Sequence, residues 1–219
     1  MRLRLARAGW VALVALTTGF VLSAAGTAYA TTSADSAAPP AGEVTLNVLS
    51  INGSGCPAGT TKVAMLSGDT GFRVTYTNFV AQAGGGAAPT DFRKNCQIGL
   101  QVNIPQGFTF AIAQADYRGK AQLASGATGL QRTNYYFQGT PGNNYVDHTF
   151  AGPLSGTWHT TDTTDATALV YEPCGAAAVL NVNTELRVYG ATGGVLNWIS
   201  MSASDGSVDT VVQFQWRQC

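Results

Sequence analysis

Residues 98–113 read IGLQVNIPQGFTFAIA, and this stretch decides the fold class. Apolar side chains occupy every second position on both sides of Pro105-Gln106-Gly107. Successive side chains of a β-strand point to opposite faces, so a period of two predicts two strands that each bury one face. The three residues between them are typical of a turn, and we predict a β-hairpin here.

The same period of two recurs along the rest of the chain. It is present at Val44–Val48, Phe72–Tyr76 and Val208–Trp216. Asp205-Gly206 precedes the last of these strands and predicts a second hairpin, because Asp-Gly suits a tight turn. The chain has no long apolar stripe with helical spacing. We therefore predict an all-β fold, an antiparallel β-sandwich of the jelly-roll-like kind, formed by residues 43–219 as one domain.

The first thirty residues have the features of a secretory signal peptide. Three arginines precede residue 8, an apolar segment runs from Trp10 to about Ala25, and Ala28-Tyr29-Ala30 provides a cleavage site. We predict cleavage before Thr31 and then a disordered leader over residues 31–42, which are rich in Ala, Ser, Thr and Pro. The protein is thus expected to be secreted and extracellular, with no membrane anchor after cleavage.

The charge of the chain argues against nucleic acid as a partner. The full chain has 12 basic and 12 acidic residues. The predicted signal peptide contains three arginines and no acidic residue, so 12 − 3 leaves 9 basic against 12 acidic residues. Nucleic-acid binding needs a basic surface, which this composition does not favour. Nothing in the sequence predicts an oligomeric state.

All four cysteines lie after the predicted signal peptide, at positions 56, 96, 174 and 219. An even number in an exported chain predicts two disulfides, and the absence of a C-x-x-C pair argues against a zinc site. Three connectivities are open. We prefer Cys56–Cys96 with Cys174–Cys219, because each bond then closes one half of the domain.

Several short runs resemble a known family. They are Gly53-Ser54-Gly55-Cys56-Pro57, Asn78-Phe79-Val80-Ala81-Gln82, Arg93-Lys94-Asn95-Cys96-Gln97, Asp116-Tyr117-Arg118-Gly119, Tyr136-Phe137-Gln138-Gly139, Pro173-Cys174-Gly175 and Trp216-Arg217-Gln218-Cys219. In this order they resemble the uncharacterised secreted family called domain of unknown function 4360, found in actinobacteria and filamentous fungi. The resemblance covers roughly Val44 to Cys219. It implies an exported β-rich domain with two disulfides, and it implies no activity.

One predicted strand carries a group of side chains that could bind a ligand. Asp116, Arg118 and Lys120 are two residues apart and should share one face, with Tyr117 on the other. Arginine, lysine and tyrosine together suit an anionic sugar, and a tyrosine can act as a general acid or base. The alternative is that Asp116 and Arg118 form an ordinary surface ion pair.

A second basic run, Arg93 and Lys94, precedes Cys96. If Pro105-Gln106-Gly107 closes a hairpin, Lys94 lies about opposite Arg118, and the two runs form one basic patch. Such a patch predicts an anionic polysaccharide or cell-wall polymer as partner. The alternative is a solvated loop whose charges have no function.

Other chemistry is weakly supported. His148 and His159 lack the spacing of metal ligands, and we predict no metal, no cofactor and no catalytic residue. Trp198 and Trp216 are expected in the core because both lie on alternating strands. We predict a non-enzymatic domain that binds carbohydrate or cell-wall polymer. The alternatives are a carbohydrate-active enzyme, such as a polysaccharide lyase using Tyr117 and Arg118, and a secreted protein with a protein partner.

Overall fold

The computed structural model describes residues 38–139, 144–165, 169–174, 179–190, 194–201 and 209–219. Within these residues the chain forms twelve β-strands and one 3₁₀ turn, Ser67–Asp69. The strands are β1 (Thr45–Asn52), β2 (Thr61–Met65), β3 (Gly71–Tyr76), β4 (Val80–Ala83), β5 (Arg93–Asn103), β6 (Phe108–Leu123), β7 (Thr128–Phe137), β8 (Asn144–Ala151), β9 (Leu154–Thr163), β10 (Val179–Tyr189), β11 (Asn197–Ser200) and β12 (Thr210–Gln218). The predicted all-β class is confirmed. The predicted signal peptide lies outside the described residues.

The strands form two antiparallel sheets that pack as a sandwich, as predicted. The sheet that we call the front sheet has the strand order β1-β5-β10-β7-β8. The back sheet has the order β2-β3-β12-β6-β11-β4, with β9 also paired to β6. Strand β6 is 16 residues long. Its length lets β12 and β11 follow one another along one edge, while β9 occupies the other edge.

The hairpin predicted at Pro105-Gln106-Gly107 is wrong, although the strands on either side of the turn are present. Strand β5 pairs with β1 and β10 in the front sheet, whereas β6 lies in the back sheet. Pro105-Gln106-Gly107 therefore carries the chain from one sheet to the other. Strands β11 and β12 both pair with β6 and not with each other. Asp205-Gly206 itself lies outside the described residues.

The core is formed by the inward-facing side chains of both sheets. Strand β6 shows the expected alternation, with Ala115, Tyr117, Ala121 and Leu123 buried. Each large apolar side chain that is fully buried contributes about 1.5–3 kcal/mol. Trp216 is buried as predicted.

Trp198 departs from the core prediction. It is only partly buried, whereas the next residue, Ile199, is fully buried in the core. Adjacent strand residues face opposite sides, so Trp198 lies on the outer side of the back sheet. The alternation allowed either Trp198 or Ile199 to face the core, and the smaller Ile199 does so.

The start of the described chain is held against the domain. Pro39 is buried, and the backbone N–H of Gly42 donates a hydrogen bond to Asp69 Oδ2 at 2.6 Å. These contacts involve the end of the segment, residues 31–42, for which the sequence predicts a disordered leader. Residues 31–37 lie outside the described residues.

The two disulfides join Cys56 to Cys96 and Cys174 to Cys219, which confirms the preferred pairing. The first bond is buried, with each cysteine 1% exposed. Both cysteines of the second bond are exposed. The two bonds therefore differ in their access to solvent.

This difference predicts the order in which the bonds are reduced. Thiol–disulfide exchange needs a thiolate to reach a sulfur atom, so access limits the rate. We expect a mild thiol reductant under native conditions to open Cys174–Cys219 first. Alkylation of the new thiols and peptide mass mapping over time measures this order. Simultaneous or reversed labelling would contradict the prediction.

Candidate functional site

The structure separates the basic residues that were predicted to converge. Arg93 and Lys94 lie on β5 of the front sheet, and Arg118 and Lys120 lie on β6 of the back sheet. The predicted single basic patch is wrong, because it depended on the β5–β6 hairpin. Lys94 Nζ donates a hydrogen bond to Asp91 Oδ1 at 2.8 Å, and that bond holds the pKa of Asp91 below its usual value.

Tyr117 belongs to the core and not to a binding surface. It is fully buried, and its hydroxyl lies 2.7 Å from the hydroxyl of Tyr135 on the front sheet. Burial raises the pKa of Tyr117 far above its usual value. A general acid or base must come within hydrogen-bond reach of its substrate. Tyr117 therefore cannot serve the polysaccharide lyase reaction considered from the sequence, although its position opposite Asp116 and Arg118 is confirmed.

Asp116 pairs across the strands and not with Arg118. Thr161 Oγ1 donates to Asp116 Oδ1 at 2.6 Å, Gln114 Nε2 donates to Oδ2 at 2.7 Å, and His159 Nε2 lies 3.4 Å from Oδ1. Partial burial opposes ionisation of Asp116, but these hydrogen bonds outweigh it and lower its pKa. Arg118 is exposed opposite His159. The guanidinium has no hydrogen bond or ion pair with another described residue.

The two histidines take part in separate pairs. His148 Nε2 lies 2.8 Å from Asp162 Oδ1, which links β8 of the front sheet to β9 of the back sheet. His159 lies beside Asp116 on the outer side of the back sheet. Across the described ranges, no three histidine, cysteine, aspartate or glutamate side chains are grouped as a metal site.

The outer face of the front sheet, which we call the front face, carries polar side chains in rows that cross the strands. From β1 to β8 one row contains Asn52, Gln97, Asn183, Asn134 and Tyr145. From β5 to β8 the next row contains Asn95, Glu185, Arg132 and Asp147. Paired residues at matching positions of neighbouring strands project to the same side. Each row is therefore a continuous line of side chains on one surface.

The first row, which we call the amide row, offers unpaired amide groups at two of its positions. Gln97 is exposed and Asn183 is half-buried. Neither side chain has a hydrogen-bond partner among the described residues. Each amide provides two donor hydrogens and an acceptor oxygen. Tyr145, which is 59% exposed, stands at the β8 end of this row.

The carboxylate of Glu185 is held between two arginines. Arg93 Nε donates to Glu185 Oε2 at 2.5 Å, and Arg187 Nη2 donates to Glu185 Oε1 at 2.5 Å. Glu185 is only 7% exposed. A buried carboxylate needs such partners, because an unpaired charge away from water is costly. Both arginines are therefore committed to an internal ion pair.

A second ion pair positions the aromatic ring. Arg132 binds both oxygens of Asp147 at 2.6 Å, in the two-pronged geometry that arginine and carboxylate prefer. These bonds lower the pKa of Asp147 and raise that of Arg132. The Arg132 guanidinium also lies 5.6 Å from the centre of the Tyr145 ring. The ring is thus held in place by a cation–π contact while most of it remains exposed.

A shallow depression of about 130 Å³ lies on the front face. Its lining includes Gln97, Asn183 and Tyr145 from the amide row, and Arg93, Glu185 and Arg132. Pockets that enclose small molecules are usually ~300–1,000 Å³. This depression is too small to enclose a ligand, and it suits contact with one side of an extended molecule.

The sequence singled out part of this site and missed the rest. It pointed to Arg93 as a candidate, while Gln97, Asn183 and Arg132 were not singled out. The available signal was the polar half of each alternating strand, where asparagine and glutamine recur in β5 and β10. Polar residues on the solvent side of a strand are common, so this pattern did not distinguish a binding surface from an ordinary one.

The family described as Domain of unknown function (DUF4360) matches residues 42–219. The chain belongs to this family. A relative described as an uncharacterized secreted protein, from Arthroderma benhamiae, is 31% identical over 182 residues, which are 83% of this chain and 74% of the relative. The DUF4360 chain is a secreted protein, as the sequence predicts. The described residues contain no helix that is long and apolar enough to cross a membrane.

Among solved structures, the chain has a weak likeness to the enzymatically active domain of tailspike protein 4 from bacteriophage CBA120. The identity is 13%, the TM-score is 0.23, and the match covers 81% of this chain. The chain spans only 20% of that tailspike chain. A likeness at this level carries no argument about function.

Proposed function

We propose that the protein binds a polysaccharide or cell-wall polymer outside the cell through its front face, without catalysing a reaction on it. The observation that carries this proposal is the amide row, in which the unpaired amides of Gln97 and Asn183 share one face with the exposed ring of Tyr145. Sugars present hydroxyl groups that both donate and accept hydrogen bonds, and apolar ring faces that can lie on an aromatic side chain. The amide row offers a partner for each of these groups.

Three observations support binding over catalysis. Tyr117, the residue considered for a lyase reaction, is buried in the core. The carboxylate of Glu185, on the front face, is held by two arginines. The depression on the front face is also too shallow to exclude water from a reacting bond, which active sites commonly do. A surface that contacts one side of a polymer needs no such enclosure.

The proposal is tested by screening the secreted protein against an array of glycans and cell-wall polymers. The double variant Gln97→Ala with Asn183→Ala is expected to bind about tenfold more weakly, since each lost hydrogen bond contributes ~0.5–1.5 kcal/mol. The matched control is Gln213→Ala, an exposed amide on β12 of the back sheet, which should leave binding unchanged.

Tyr145 gives a second measurement of the same surface. Tyr145→Ala is expected to weaken binding about tenfold, whereas Tyr145→Phe keeps the ring and should bind like the unaltered protein. Unfolding midpoints of all variants show whether each one folds. Absence of any array ligand, or equal loss of binding in the Gln213→Ala control, would overturn the proposal.

A further inference from the structure

We infer, resting on the proposed function, that the glycan bound by the front face is uncharged and lies across the strands. Each arginine of the front face is already bonded to a carboxylate, and two of them share Glu185. Arg93 and Arg187 each donate to Glu185, and Arg132 binds Asp147 through two bonds, all at 2.5–2.6 Å. Charge-assisted bonds of this kind are about twice as strong as neutral ones. An acidic sugar would have to compete with these carboxylates for the arginines.

The free groups on the face are neutral. Gln97 and Asn183 have no hydrogen-bond partner among the described residues, and both are uncharged. An amide can satisfy a hydroxyl group fully, because each offers donors and acceptors. A carboxylate or sulfate group would be desolvated against an amide without a compensating opposite charge, which is unfavourable. The amide row therefore selects hydroxyl groups over ionised groups.

The shape of the face gives the direction of the ligand. Neighbouring strands are ~4.8 Å apart, so the amide row from β5 to β8 extends over about 14 Å across the sheet. Beside it runs a second row in which Gly99 lies between Ser50 and Asn181, and Asn181 pairs with Tyr136. Ser50 covers Gly99, because a Cβ at Gly99 would lie 2.9 Å from Ser50 Oγ. This row also runs parallel to the amide row and perpendicular to the strands.

Two outward tyrosines of the front face stand at the same end of these rows. Tyr136 follows Asn181 on β7, and Tyr145 ends the amide row on β8. The neighbouring residue Tyr135 packs against the core, so Tyr136 points outward. A polymer lying across the strands would contact amides along its length and rest its rings on the two tyrosines.

The test uses the full secreted chain and four soluble probes: a neutral β-glucan, chitin oligosaccharide, polygalacturonate and dextran sulfate. Binding is measured at ~0.01 M and ~0.15 M salt, between which the screening length falls from about 30 Å to about 8 Å. We expect a neutral probe to bind, with affinity changing less than about twofold between the two salt concentrations. Tyr145→Ala should weaken it about tenfold, as in the array test.

Tyr189→Ala tests the direction of the ligand. Tyr189 is 44% exposed on β10, six residues along the strand from Asn183 and outside the amide row. A polymer lying across the strands does not reach it, so binding should be unchanged. An effect of Tyr189→Ala comparable to that of Tyr145→Ala would overturn the crosswise direction.

The remaining outcomes distinguish a wrong ligand class from a wrong proposed function. Acidic probes that bind through the amide row and weaken with salt would overturn the uncharged ligand while leaving the binding function standing. Acidic probes that bind independently of Gln97 and Asn183 but are lost with Arg118→Ala would overturn both, because the back sheet would then hold the site. Absence of binding to all four probes and to the glycan array would also overturn both.

Discussion

Gly71→Ala is expected to lower the free energy of unfolding by more than about 3 kcal/mol, one of the largest effects of a single substitution in this chain. Gly71 has a φ of 154°, in a region that side chains rarely adopt. A Cβ at this position would lie 1.9 Å from the backbone oxygen of Val212 on β12. That oxygen belongs to a strand in the middle of the back sheet, so it cannot move without disturbing the pairing of β3 and β12. Urea unfolding of the oxidised protein measures the loss.

Gly156→Ala is the matched control. Gly156 has a φ of 134° and lies on β9, and a Cβ there would meet nothing within 4 Å. This variant carries the backbone strain alone, so a loss of about 1–2 kcal/mol is expected. The difference between the two variants measures the clash with Val212. Equal losses would show that strain, and not the close approach of the strands, sets the requirement for glycine at position 71.

The two strands on either side of Pro105-Gln106-Gly107 show what the sequence could and could not predict. The alternation of β5 and β6 correctly identified each strand and its buried face. It did not identify the sheet, because an apolar face is buried equally well beside its neighbour in one sheet or opposite it across the core. The four-residue connection, residues 104–107, is compatible with both arrangements. The crossing therefore depended on the pairing preferences of all the other strands, which no local pattern contains.

The same limitation explains why the candidate site could not be predicted from the sequence. Arg93 and Arg118 both lie on the outer sides of their strands, yet they belong to opposite faces of the sandwich. The amide row is built from β5, β10, β7 and β8, which are far apart in the chain and become neighbours only through the sheet order. Register between such strands brings Gln97 beside Asn183. Each of these residues, seen alone, was an ordinary polar position.

The disulfide pairing was predicted correctly because four cysteines allow only three pairings. Removing one of the two bonds is the second change with a large expected effect on stability. Replacing both Cys56 and Cys96 by alanine is expected to cost about 5–6 kcal/mol, against about 4 kcal/mol for the same change at Cys174 and Cys219. The closed loops have sequence separations of 40 and 45 residues, so the chain-entropy contribution is about 4 kcal/mol for each.

The difference comes from the folded state. Cys56 and Cys96 are each 1% exposed, so removing their sulfur atoms leaves unfilled space in the core, whereas Cys174 and Cys219 are exposed and leave none. A domain is stable by only about 5–15 kcal/mol, so the first variant is expected to be largely unfolded or poorly secreted, while the second remains folded. Urea unfolding of both double variants, with secreted yield as a second readout, measures the contrast. Equal losses of unfolding free energy would mean that both bonds act through the unfolded chain alone. A larger loss at Cys174 and Cys219 would mean that anchoring the end of β12 matters more than filling the core.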